Sequence, residues 1–179
     1  RYWAMHWLGA GELDRAAPLF EKVLARTPDR LPTLEGLAEL RARQGRPAEA
    51  IPLLERAAPL ASRPAPLLAQ LGELAMAIGD TPRALGGFER ARDADPAGFD
   101  RWLELGVCYL ADRRPAEARD ALDRVSPSHP GYPMALFKRA QVAVLLQEPD
   151  RAERVARARE NADATTRALI EREELFRRD

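Results

Sequence analysis

The sequence predicts an all-α solenoid of antiparallel helix pairs, and three observations predict it. The pentapeptide RPAEA spans Arg46–Ala50 and returns at Arg114–Ala118, an interval of two thirty-four-residue steps. Several series keep that step: Ala16, Ala50, Ala84, Ala118 and Ala152; Gly11, Gly45 and Gly79; Ala4, Ala38, Gly72, Gly106 and Ala140. Within one period the apolar spacing is helical, and Gly or Pro interrupts it. An alanine-rich composition explains one coincidence of letters, whereas several series of different residue type require a recurring structural unit.

The first unit, approximately 1–30, opens inside its first helix. There Trp3 and Trp7, four residues apart and in register with Leu37 and Arg41, are assigned to the interior stripe; Gly11 makes the turn, Ala16 and Phe20 face inward from the second helix, and Pro28 closes the unit. The second, 31–64, carries Leu37 and Ala38, turns at Gly45, starts its second helix at Pro47 and buries Ala50 and Leu54, with Ser62 where the others have Pro. In the third, 65–98, Leu68, Leu71, Gly72 and Ala75 follow the i, i+3, i+4, i+7 spacing of one helix face. Gly79 ends that helix, Thr81 is the expected N-cap of the next, Pro82 is tolerated in its first turn, and Pro96 blocks its extension.

The fourth unit, 99–132, repeats the plan around Trp102, Leu105, Gly106, Tyr109, Pro115, Ala118 and Leu122. The segment from Ser126 to Pro133 holds three Pro and one Gly, yet the period runs through it, so it reads as a turn between units. The fifth, 133–164, has Ala140 and Ala152 in register and Pro149 as the expected opener of its second helix. Residues 165–179 read as a capping helix, with Thr165 or Thr166 as cap and a stripe of Leu169, Ile170, Leu175 and Phe176 among charges. Pro18, Pro52 and Gly86 share one register inside second helices, where each weakens the helix. They either bend the stack or sit on a face that tolerates them.

Neither helix of a unit can bury its apolar face alone, so neighbours must stack. Small residues let the backbones approach while Leu or Phe fills the remaining space. The pattern resembles the tetratricopeptide repeat (TPR), whose first helix carries Trp, Leu, Gly and Tyr, whose second carries Ala, Phe and Ala, and which closes on Pro. Trp102, Leu105, Gly106, Tyr109, Ala118, Leu122, Val125 and Pro130 give the fullest match, followed by Leu68, Leu71, Gly72, Ala84, Phe88, Ala91 and Pro96. The resemblance implies a right-handed superhelical TPR solenoid whose concave side is lined by first helices and holds a peptide from another protein. The fifth unit departs from the pattern, with Arg139 in place of Leu and Arg159 in place of Ala, which reads as the polar outer face of a terminal unit.

Composition narrows the function. Basic and acidic residues balance at 28 each, so no overall field draws the chain to nucleic acid or anionic lipid. The cations are nearly all Arg, with Lys only at 22 and 138, which reads as a coding-composition bias and not as a signal about ligand. No apolar run is long enough for membrane insertion. The chain opens at Arg1 without an initiator Met and reads as a segment of something longer, which leaves the compartment open between cytoplasm and periplasm. Two separated His and one Cys make no metal site, no Gly-rich phosphate loop or nucleophile–base spacing occurs, and no cofactor or catalytic residue is assigned. Cys108, in an apolar stretch, reads as a small buried hydrophobe.

The helical wheel places the candidate partner-binding groove on the flank of each first helix. The second and third units contribute Glu35, Glu39, Ala69, Glu73 and Met76; the fourth and fifth contribute Asp100, Leu103, Val107, Leu110, Phe137, Gln141 and Val144. An acidic stretch followed by an apolar one favours a protein or peptide carrying Arg or Lys next to hydrophobic side chains. Equally, packing between units or the capping helix could cover Leu103, Leu110 and Phe137. The acidic residues also disfavour a clamp of Lys, Asn and Arg for a C-terminal carboxylate, which some members of the family use. The expected function is a non-catalytic protein-interaction scaffold or adaptor. Two alternatives are a docking or regulatory arm of a larger bacterial transferase or hydrolase, and a homo-oligomeric scaffold assembled through its end repeats.

Overall fold

Five backbone positions set the architecture. In the computed structural model, which describes residues 2–173, left-handed backbone falls at Gly11 (φ 78°), Gly45 (71°), Gly79 (75°), Arg113 (60°) and Gln147 (55°). These positions lie thirty-four residues apart. Each closes the same pair of bonds, as when Gly79 N donates to the Met76 carbonyl (3.1 Å) and Asp80 N to the Ala75 carbonyl (2.9 Å). The pair satisfies carbonyls that a helix end leaves open and reverses the chain in two residues. Glycine takes this conformation without a Cβ penalty, which Arg113 and Gln147 bear.

The turns pair ten of the eleven α-helices found among the described residues, and no strand occurs among those residues. They divide into two compact bodies that meet in sequence at Phe99 and Asp100. The first contains α1 (Tyr2–Gly9), α2 (Leu13–Arg26), α3 (Leu31–Arg43), α4 (Pro47–Ala57), a single 3-10 turn over Ala58–Leu60, α5 (Ala65–Ala77) and α6 (Thr81–Ala94). The second contains α7 (Trp102–Ala111), α8 (Pro115–Leu122), α9 (Tyr132–Leu145), α10 (Arg151–Glu160) and α11 (Ala164–Arg172). Each helix packs on the next in sequence within α1–α6, and likewise from α7 through α10.

In the first body Phe20 is fully buried among Ala4, Leu8, Ala16, Leu37 and Leu40. Ala16, Ala50, Ala84 and Ala118 are all inaccessible, as the small-residue series requires. The α5–α6 pair approaches most closely at Gly72 and Gly87: a Cβ on Gly87 would stand 2.8 Å from Gly72 N and 3.0 Å from the Leu68 carbonyl oxygen. In the second body Phe137, Ala140, Val155, Ala158, Ala162 and Ile170 form one cluster, so α11 seals the α9–α10 pair.

Several local expectations are corrected. Asp80, not Thr81, caps α6, accepting from Arg83 N at 3.2 Å; Asp163, not Thr165 or Thr166, caps α11, accepting from Thr166 N at 2.7 Å. A carboxylate one to three positions earlier reaches the free N–H groups, and the threonines become helical residues. Pro149 does not open α10, which starts two residues later at Arg151, and Ala152 is exposed while Val155 and Ala158 take the buried face. Arg139 lies on no outer face: it is 4% exposed. Trp3 is 61% exposed rather than interior, its ring stacked on Trp7 at 6.3 Å. Pro18 and Pro52 are exposed, and a Cβ on Gly86 would meet nothing within 4 Å, which favours tolerance over an imposed bend. Leu175 and Phe176 of the expected capping stripe lie outside the described residues.

Candidate partner-binding surface

On the first body the candidate flank is built by α3 and α5. Glu39 and Glu73 occupy equivalent positions one repeat apart, Glu35 precedes Glu39 by one turn, and Met76 follows Glu73 at 40% exposure. All three carboxylates are half-buried, as is Ala69. Glu39 is tied to Arg43 one turn on, and Arg43 Nη1 donates to the Leu8 carbonyl at 3.0 Å, which anchors that pair to α1. Met5 stands at the position equivalent to Glu39 one repeat earlier and is 46% exposed, an extension of the row that the wheel did not include.

The second body offers a different flank. Asp100 is exposed and pairs with its neighbour Arg101 at 2.7 Å, while Leu103, Val107 and Leu110 on α7 are half-buried. Phe137 takes no part in a surface. It is 1% exposed, because α10 and α11 close over α9 and put Val155 and Ile170 in its cluster. Val144 packs against that same cluster. Gln141 remains on the flank, but its Nε2 donates to Glu173 Oε2 at 2.9 Å, so the chain after α11 already reaches it. Lys138, one turn before Gln141, is held below the usual lysine range by burial, and the Glu173 carboxylate draws it partly back. Leu145, one turn after Gln141, is 54% exposed and was not singled out from the sequence. Its position at the end of α9, past the last covering residue, is visible only once the packing of α10 is known.

A second feature of this body surrounds Arg139. Its Nε donates to Asp123 at 2.9 Å and its Nη1 to Glu148 at 2.7 Å, while Arg154 lies 3.7 Å from Asp123 and 2.8 Å from Asp150. Arg139, Asp123, Asp150 and Arg154 line a cleft of about 390 Å3 together with Leu122, Val125, Ala135 and Leu136. A guanidinium at a core position is stable here because two carboxylates neutralise it and satisfy its donors.

No group of three His, Cys, Asp or Glu among the described residues is placed to hold a metal ion. Burial, aided by the nearby Glu104 charge, pushes the Cys108 thiol up to about 11, which keeps it protonated and unreactive at neutral pH. No helix among the described residues is long and apolar enough to cross a membrane.

Two family profiles, each described as tetratricopeptide repeat, match residues 8–71 and 70–133. No curated protein matches the chain in sequence. Among solved structures, YrrB, described as a TPR protein with an unusual peptide-binding site, superposes with a TM-score of 0.81 at 18% identity, over 96% of this chain and 90% of that one. MamA gives a TM-score of 0.74 at 22% identity, over 88% and 87% of the two chains. PilF of Pseudomonas aeruginosa gives 0.65 at 17% identity, over 98% and 77%.

Proposed function

The chain belongs to the tetratricopeptide repeat family, and from that premise we propose that it is a non-catalytic interaction module whose first-helix flank on α3 and α5 binds a peptide segment of another protein. The preferred segment carries Arg or Lys beside apolar residues. The observation that carries this reading is the repeat-equivalent pair Glu39 and Glu73, with Glu35 and the exposed Met76 on the same flank. Exposed ion pairs contribute only ~0.2–1 kcal/mol each, so the carboxylates select and orient the segment while the apolar contacts hold it. The peptide-binding site reported for YrrB supports this reading by likeness of fold.

Selection from a random peptide library tests it. Retained sequences should be enriched in Arg or Lys next to Leu, Ile, Phe or Met. Glu35→Lys combined with Glu73→Lys should weaken a selected peptide roughly tenfold, the equivalent of about 1.4 kcal/mol, with an unchanged thermal midpoint. Equal binding by the double variant, or enrichment of acidic sequences, refutes the assignment.

A further inference from the structure

The acidic row on the first body carries a methionine at each end. We propose that Met5 and Met76 make this an oxidation-sensitive surface, on which a hydroperoxide converts the two thioethers to sulfoxides and releases the bound segment. This deepens the function proposed above and rests on it.

The chain has three methionines, and the two exposed ones both stand on this row. Met5 on α1 takes the position that Glu39 and Glu73 hold in the next two repeats, and Met76 follows Glu73 on α5. A Cβ on Gly36 would lie 3.3 Å from Met5 Sδ, so that thioether reaches across from α1 onto α3 next to Glu35. The third methionine, Met134, is half-buried and packs against the Phe137 cluster of the second body. Cys108 is buried and its thiol is pushed up to about 11, so it offers an oxidant no competing thiolate.

A hydroperoxide transfers one oxygen atom to a thioether. An S–O bond forms as the O–O bond breaks, the sulfur is oxidised by two electrons, and the peroxide leaves as water or an alcohol. The product is polar where the side chain was apolar and adaptable. On this row the carboxylates select a segment and the apolar contacts hold it, so oxidation removes the holding contacts at both ends and leaves Glu35, Glu39 and Glu73 chemically unchanged. Methionine sulfoxide reductases restore the thioether, which makes the change a reversible switch as well as a lesion.

The test titrates a library-selected peptide free of Met, Cys and Trp onto the full chain before and after hydrogen peroxide treatment, with the peroxide removed by catalase. Mass spectrometric mapping should show sulfoxide at Met5 and Met76 ahead of Met134, and affinity should fall roughly tenfold. Met5→Leu with Met76→Leu conserves apolar volume, so it should bind about as tightly and lose its response to peroxide. Equal affinity before and after oxidation, sulfoxide at Met134 first, or an undiminished peroxide response in the double leucine variant overturns the proposal. The two readings fail separately. Binding that survives Glu35→Lys with Glu73→Lys but is lost on oxidation removes the acidic selection and leaves the methionine contacts standing, while the opposite pattern removes the methionine contacts alone.

Discussion

Two adjacent glycines in α6 should respond to the same substitution in opposite directions. A Cβ on Gly86 meets nothing within 4 Å, whereas one on Gly87 would lie 2.8 Å from Gly72 N, 2.9 Å from Gly72 Cα and 3.0 Å from the Leu68 carbonyl oxygen. Ordinary contact between such atoms is about 3.5–4.0 Å, and the obstructing atoms are backbone, so α5 and α6 must move apart rather than a side chain rotate. Replacing Gly by Ala inside a helix gains about 0.5–1 kcal/mol in either position. That gain cancels when the two variants are compared, which isolates the overpacking cost of about 1–3 kcal/mol at residue 87. Gly86→Ala should therefore raise the unfolding midpoint, and Gly87→Ala should fall below Gly86→Ala by roughly 2–4 °C per kcal/mol in a chain of this size. Urea titration with an unchanged slope confirms that stability, not compactness, has moved. Equal midpoints for the two variants would refute the close approach of α5 and α6.

Other consequences can be measured in the same way. At the left-handed positions that lack Gly, Arg113→Gly and Gln147→Gly should each stabilise by about 0.5–1 kcal/mol, while Gly45→Ala should cost a similar amount in thermal or urea unfolding. Ala84→Leu should cost about 1–3 kcal/mol because Ala84 is fully buried between helices, whereas Arg83→Leu at the exposed neighbour, which loses only surface pairs with Asp80 and Glu55, should cost clearly less by the same assay. Glu148→Ala leaves the buried Arg139 short of a partner and should destabilise by about 3 kcal/mol, while Arg139→Met should be neutral or stabilising, since an apolar chain suits that core position. The Arg83 side chain holds Asp80 below its ordinary range, and the Thr166 N–H does so for Asp163. Depressed carboxylates lend stability above the unfolded value near pH 4 and lose it as pH falls through their folded values. Protection of the Arg83 and Thr166 amides, measured against their intrinsic exchange rates, should therefore fall on acidification below about pH 4, and Asp80→Asn should abolish that pH dependence for Arg83.

What the sequence disclosed and what it hid divide along a physical line. Ala16, Ala50, Ala84 and Ala118 were legible because each faces the same crowding between two helices, and crowding leaves a letter at a fixed interval. The turns at Gly11, Gly45 and Gly79 were legible for the same reason, since positive φ selects Gly. Arg113 and Gln147 make the same turn without that letter, so the last two turns were not readable from composition. Pro149 and Ala152 kept the period in spelling after the helix itself had shifted to Arg151. Phe137 is covered by residues of α10 and α11, and a wheel drawn for one helix contains no information about what lies over it. The burial of Arg139 was hidden likewise, because Asp123 and Glu148, which make it tolerable, lie in segments that flank two different helices.

Beyond Ser62 and Arg113, the departures from the repeat gather in one place: Gln147 replaces the turn Gly, Arg139 replaces an apolar core residue, and α10 starts late, all within the α9–α10 pair that α11 then seals. A pair inside a regular stack is constrained on both sides by copies of itself, so its letters must repeat; a pair that meets a helix outside the period is constrained on that side by a different shape. The Gln141–Glu173 bond is a contact of that second kind, specific to one place in the chain. On this argument the first body presents a surface set by repetition, in which Glu39 and Glu73 recur because their positions recur. The second body presents one set by its junction with α11, where Glu173 already engages Gln141.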